Sequence, residues 1–158
     1  KTKKKYVALV EGAIRQKKGV IRTFVGKDKE NPTRQRAASL SEPRHGRAVK
    51  EEDKDIVLNP KEAVTRYVVQ ERYKEFTLLE VVPETGRTHQ IRIHMEYLHH
   101  PIVGDKKYGS RVPLEGGRFF LHASSLALKL PSGKSLECKA DLPKELEDFL
   151  RALETARN

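Results

Sequence analysis

The feature that most restricts the fold of this chain is the form of its apolar stretches. Nearly all are short, rich in β-branched and aromatic residues, and cut off by turn formers. Tyr6–Val10 is stopped by Gly12, and a second run covers Gly19–Val25. Ala63–Arg72 and Phe76–Val82 are separated only by the charged step Tyr73-Lys74-Glu75. Phe119–Ala123, Leu126–Leu130 and Ser135–Lys139 complete the set, the last two flanking Pro131-Ser132-Gly133-Lys134. Such runs read as strands, and short polar connections between them read as antiparallel hairpins. A helical period occurs in two places. Ile91, Met95 and Leu98 follow Thr88, a natural N-cap, and the helix should end near His99-His100, before Pro101 and Gly104. After Pro143, Leu146, Phe149, Leu150 and Leu153 mark one face of a terminal amphipathic helix. The expected fold is α+β, a mainly antiparallel mixed β-sheet with flanking helices.

The 158 residues are enough for one domain and its core. No apolar run approaches the roughly 20 residues needed to span a bilayer, so no membrane partner is expected. The single cysteine, Cys138, can form neither an internal disulfide nor a CxxC knuckle, which points to a reducing, cytoplasmic setting. Monomer is the default state.

Charge is unevenly placed. Residues 1–50 hold 15 Lys/Arg against 4 Asp/Glu, a net of +11, whereas the whole chain carries +10. A concentrated positive field favours a polyanion, since each neutralised phosphate releases condensed counterions. Between Gly26 and Pro60, prolines, glycines, serines and charges interrupt any period apart from a short strand near Ala48–Lys50. Residues 26–60 are therefore expected to form a long basic loop, either an RNA-contacting arm or a surface insertion.

The densest polar cluster is Thr85–Asp105, TGRTHQIRIHMEYLHHPIVGD, which delivers Arg87, His89, Gln90, Arg92 and His94 to a turn and the helix after it. Four histidines within twelve residues raise the question of zinc, but neither HExxH nor a His/Cys ligand set is present, and no metal is expected. A helix reading a DNA groove is disfavoured because no partner helix precedes it.

This stretch, T-G-R-T-H-Q-I-R-I-H followed by H-P-I-V-G-D-x-x-Y-G, resembles the most recognisable motif of the RluA family of RNA pseudouridine synthases. KKKYVALVEG at Lys3–Gly12 agrees with it. So do the alternating Lys61, Ala63, Thr65 and Tyr67, and R-x-x-L-H-A at Arg118–Ala123. The similarity implies that residues 1–158 are the C-terminal portion of such a catalytic domain. It also implies an isomerase that turns uridine into pseudouridine in structured rRNA or tRNA, without metal or organic cofactor.

By that resemblance Tyr6 matches the active-site tyrosine, and Arg92 the arginine that pairs with the catalytic aspartate. Lys5, Arg87, His89, Gln90, His94 and Leu121 are the expected substrate and RNA contacts, with His89 and His94 either touching phosphate or bracing the helix. The aspartate lies in the family in an HRLD-type segment, and no such segment occurs here. Asp105, in the H-P-I-V-G-D element, is expected to be structural or to shape the substrate site. Without the nucleophile the chain alone should be inactive. The competing expectation is a non-catalytic RNA-binding module with the same fold.

Overall fold

The computed structural model describes residues 2–41, 48–49 and 56–157. Its strands are β1 (Lys3–Glu11), β2 (Lys18–Asp28), β3 (Gln35–Ser41), β4 (Ala48–Val49), β5 (Val57–Arg72), β6 (Phe76–Pro83), β7 (Leu121–Lys129) and β8 (Ser135–Lys139). Two helices follow the sheet's central strands and its end, α1 (Gln90–Tyr97) and α2 (Lys144–Arg157). The strands form one sheet in the order β4-β3-β2-β5-β6-β1-β7-β8. Every pairing among the described residues is antiparallel.

The core gathers where β1 and β6 run side by side, with Leu9 opposite Leu78 and Ala8 opposite Leu79. Ala8, Leu9, Val10, Leu79 and Val81 are fully buried. Each enclosed leucine or valine contributes roughly 1.5–3 kcal/mol relative to exposure. Met95 and Ile91 of α1 join this core, and so does Leu146 of α2. Phe149 of α2 meets Phe76 and Phe120 edge-on, with ring centroids 6.1 and 6.5 Å apart. The terminal helix is thereby held to the sheet by the stripe that its sequence displays.

Three sequence expectations change. The stretch 26–60 is not one long loop: Gly26–Asp28 continues β2, Gln35–Ser41 forms β3, and Val57–Pro60 opens β5. Residues 42–47 and 50–55 lie outside the described residues. Turn formers hid the start of β5 because the strand contains a bulge. Val25 pairs with Lys61 and Lys27 with Leu58, so Asn59 and Pro60 together face Gly26. Asn59 adopts a left-handed conformation there (φ 48°), and the prolyl residue needs no ladder donor at such a site.

The second change concerns α1. Its N-cap is His89, in the left-handed region (φ 55°, ψ 23°) and without a side-chain cap, instead of Thr88. The third is that Leu121–Lys129 runs as one strand where two segments were expected.

Candidate active site

A cleft of about 610 Å³ opens where the start of β1, the turn after β6 and the first turn of α1 converge. Strand β1 supplies Lys4 and Tyr6, the turn supplies Thr85, Gly86 and Arg87, and α1 supplies Gln90, Ile91 and Arg92. His89, Phe119 and Leu121 complete the wall. Tyr6, Arg87, His89, Gln90, Arg92 and Leu121 are thus brought to one cavity. Register explains part of this, because Tyr6 pairs with Val81 on one side and Ala123 on the other, which sets its ring on the strand next to Leu121.

Lys5 and His94 are placed elsewhere. Lys5 does not line the cleft and sits 3.8 Å from Glu80, while its neighbours Lys4 and Tyr6 face the cavity. His94 is fully buried, and its two ring nitrogens meet Thr23 Oγ1 at 2.8 Å and Thr65 Oγ1 at 2.6 Å. It braces α1 against β2 and β5, and direct contact with RNA is ruled out by its enclosure. Burial lowers its pKa to about 4, so the ring is neutral at pH 7.

Gln90 is also enclosed and all of its polar capacity is used. Its Oε1 accepts from the Thr85 hydroxyl at 2.6 Å and the Arg87 N–H at 3.0 Å. Its Nε2 donates to the Val64 carbonyl at 2.9 Å and Thr65 Oγ1 at 3.0 Å. This side chain ties the turn to β5, and its amide is fully satisfied by protein groups. Arg87 is exposed and donates from Nε to the Glu62 carbonyl at 2.9 Å.

Arg92 was expected to pair with the catalytic aspartate; among the described residues its partner is Asp105. Nε and Nη2 donate to Asp105 Oδ2 and Oδ1, both at 2.9 Å, in a bidentate pair. The Arg92 side chain is 14% exposed and that of Asp105 only 1%. The guanidinium lies over two rings, 4.3 Å from the Phe119 centroid and 4.8 Å from that of Tyr108. Ionic, hydrogen-bonding and cation–π attraction together fix one plane for the fork. Its remaining nitrogen, Nη1, is not part of the Asp105 pair.

Asp105 is positioned by a tight loop. Gly104 has φ 85°, and a Cβ there would lie 2.2 Å from the Arg118 carbonyl oxygen. Only glycine fits without movement of backbone.

Tyr108, three residues beyond Asp105, is buried. Its hydroxyl accepts from the Gln35 N–H at 3.2 Å and lies 2.9 Å from His89 Nδ1. Desolvation, then the charges of Arg92 and Lys107, lowers the His89 pKa, with Asp105 acting in the opposite sense. A neutral His89 ring can accept the Tyr108 proton at Nδ1, leaving Nε2 as its donor. Tyr108 and Phe119 were not singled out from the sequence, although the G-D-x-x-Y-G spacing carried a signal for the first.

The cavity therefore joins an aromatic and aliphatic wall (Tyr6, Ile91, Phe119, Leu121) to a fixed guanidinium and further cationic donors. It suits a flat polar ring attached to an anionic backbone. Among the described residues no group of three or more His, Cys, Asp or Glu side chains is arranged to hold a metal ion.

Comparison with known proteins identifies the family. Residues 1–97 match the family described as RNA pseudouridylate synthase. The chain belongs to that family, and within it to the RluA type. It is 38% identical over 151 residues to an uncharacterized RNA pseudouridine synthase, YlyB, of Bacillus subtilis, covering 95% of this chain and 44% of that protein. It is 34% identical over 152 residues to ribosomal large subunit pseudouridine synthase D of Borreliella burgdorferi, covering 95% and 41%.

Two solved human structures share the fold. RNA pseudouridylate synthase domain containing 1 has a TM-score of 0.65 at 26% identity, covering 97% of this chain and 66% of that one. RNA pseudouridylate synthase domain containing 4 has a TM-score of 0.73 at 23% identity, covering 97% and 62%. The chain spans less than half the length of these two bacterial relatives. No helix among the described residues is long and apolar enough to cross a membrane.

Proposed function

We propose that the intact protein isomerises uridine to pseudouridine in structured rRNA or tRNA, with this chain forming the C-terminal portion of its catalytic domain. The supporting observation is that Tyr6, Leu121 and a rigidly held Arg92 line one cleft. In the reaction the bond from ribose C1′ to N1 breaks, C1′ joins C5, N1 gains a proton and the C5 hydrogen leaves to solvent.

The target base must leave its stack, which costs a few kcal/mol, and the ring of Tyr6 with Leu121 and Phe119 replaces the lost stacking. The phenol of Tyr6 is the group nearest in chemical type to a proton carrier at C5. Arg92, held by Asp105, presents Nη1 to the nucleophilic aspartate. No HRLD segment in these residues supplies that acid, and we assign it to polypeptide beyond this chain. Taken alone, the chain is inactive.

The test is release of tritium from RNA containing 5-tritiated uridine, measured with the full-length protein. Tyr6→Phe should reduce release by roughly 100-fold or more, the usual scale for loss of an acid–base group, and Arg92→Ala should abolish most of it. Absence of release by the full-length protein from any cellular RNA would leave the RNA-binding module as the correct reading.

A further inference from the structure

A second cleft, of about 530 Å³, lies beside the first and shares Gly86 and Arg87 with it. Its other walls come from the bulged part of the β2–β5 ladder, including Lys27, Asn59 and Lys61, and from Gln35 at the start of β3. We infer that this groove, lined by Lys27, Lys61 and Arg87, holds the phosphodiester backbone of the RNA strand where it leaves the base-binding cleft. The inference rests on the reading of the first cleft as a uridine pocket.

Three observations carry it. The first is continuity: Arg87, exposed, lines both clefts, and its Nε is spent on the Glu62 carbonyl. The second is uncompensated charge. Lys27 and Lys61 are exposed, and among the described residues neither has a carboxylate within ion-pair distance. The nearby cations Arg22 and Arg66 are matched by Glu62 and Glu84.

The third is that the groove is built by an irregularity instead of a regular ladder. Gly26 faces both Asn59 and Pro60. A Cβ at Gly26 would lie 2.2 Å from the Leu58 carbonyl oxygen, so the close strand approach depends on glycine at that position. Bulges of this kind re-aim side chains and gather near active sites. Lys61 continues on β5 the face that buries Ala63, Thr65 and Tyr67, which gives the lysine of that alternating motif a use that packing alone does not.

Backbone contacts carry no base identity. The groove therefore sets the strand's path past the target uridine and leaves sequence choice to other groups.

The experiment uses the full-length protein and a fluorescein-labelled single-stranded RNA, one uridine in an adenosine background, long enough to span both clefts. Affinity is measured against salt for the wild type, for Lys27→Ala/Lys61→Ala, and for Lys129→Ala/Lys134→Ala, which removes the same charge at the β7–β8 turn. Each phosphate contact contributes about 0.7 to the slope of log affinity against log salt for single strands. The groove variant should lose about 1.4 of slope and the turn variant close to none. Equal losses in the two variants, or an unchanged slope in the groove variant, would overturn the inference. Tritium release by the wild type reports separately on the isomerase reading: a slope loss without any release would keep the groove as an RNA surface and remove the isomerase.

Discussion

Arg92 and Asp105, thirteen residues apart and on opposite sides of the loop after α1, form a bidentate ion pair with both contacts at 2.9 Å. The pair changes how the site is understood. Asp105 and the rings of Tyr108 and Phe119 fix the orientation of Arg92, and on the function proposed above that orientation is set before a catalytic acid from outside this chain arrives. On that reading the catalytic acid would meet Nη1, which takes no part in the Asp105 pair.

The enclosure of this pair gives the first prediction. Removing one partner of a buried pair leaves the other charge uncompensated, at a cost of about 3–5 kcal/mol. Asp105→Ala should lose stability on that scale in urea unfolding, whereas the double variant Asp105→Ala/Arg92→Met should lose clearly less than the sum of the two single changes. Additive effects in this cycle would show that the two side chains are not coupled.

His94 gives a pH prediction. Its pKa is about 4 in the fold, against about 6.5 in an unfolded chain. Between these values the unfolded state binds the extra proton, so stability rises with pH in that window. The contribution is complete above about pH 6.5 and is lost as pH falls through 4, a total on the order of 3 kcal/mol. Urea titrations from pH 7 to pH 4 should show this loss. His94→Gln should be less stable at pH 7, because one of its two threonine contacts changes character, and its stability should vary less across the window. A wild type and variant with parallel pH profiles would remove His94 as the origin.

Much of the fold was legible because strand-forming apolar runs and turn chemistry agree in β1, β6 and the β7–β8 hairpin. The stripe of Leu146 and Phe149 likewise described its own packing. The beginning of β5 was not legible: Asn59 and Pro60 are turn formers, and only pairing with Gly26 across the sheet makes them part of a strand. Local signals also favoured Thr88 as a cap, whereas tertiary contact between His89 and Tyr108 holds the chain in a left-handed step one residue later.

The motif located a segment that lines the cleft but could not separate its exposed side chains from its buried ones. Gln90, Arg92 and His94 lie within one turn and a half of helix, and their different surroundings are set by β5, by Asp105 and by the two threonines. None of these partners is adjacent in sequence.

The loop that carries Asp105 supplies a third prediction. At Gly104 alanine meets both an unfavourable positive φ and a carbonyl oxygen at 2.2 Å, whereas at Gly133 (φ 84°) the added methyl meets open space. Gly133→Ala should cost only the backbone penalty, about 1 kcal/mol. Gly104→Ala should cost clearly more, and should lower the stability coupling between Arg92 and Asp105 because the acid must move. Equal melting temperatures for the two variants would mean that the loop relaxes freely around the methyl group.

Gln90 supplies the last prediction, and two substitutions separate its roles. Its oxygen accepts from the Arg87 N–H and the Thr85 hydroxyl, and its nitrogen donates to β5. Gln90→Glu keeps acceptors for Arg87 and Thr85 but removes both donors and buries a charge, so the Val64 carbonyl loses this contact. Gln90→Leu removes every contact while keeping bulk. Hydrogen exchange at the Arg87 amide distinguishes them. A net hydrogen bond of about 1 kcal/mol corresponds to severalfold faster exchange when it is lost, so the leucine variant should exchange faster at Arg87 and the glutamate variant should stay nearer to the wild type. Both should be less stable than the wild type, since each leaves a buried backbone acceptor without this donor. If the Arg87 amide exchanges at one rate in all three proteins, the turn is held by its own backbone, and Gln90 serves only to attach α1 to the sheet.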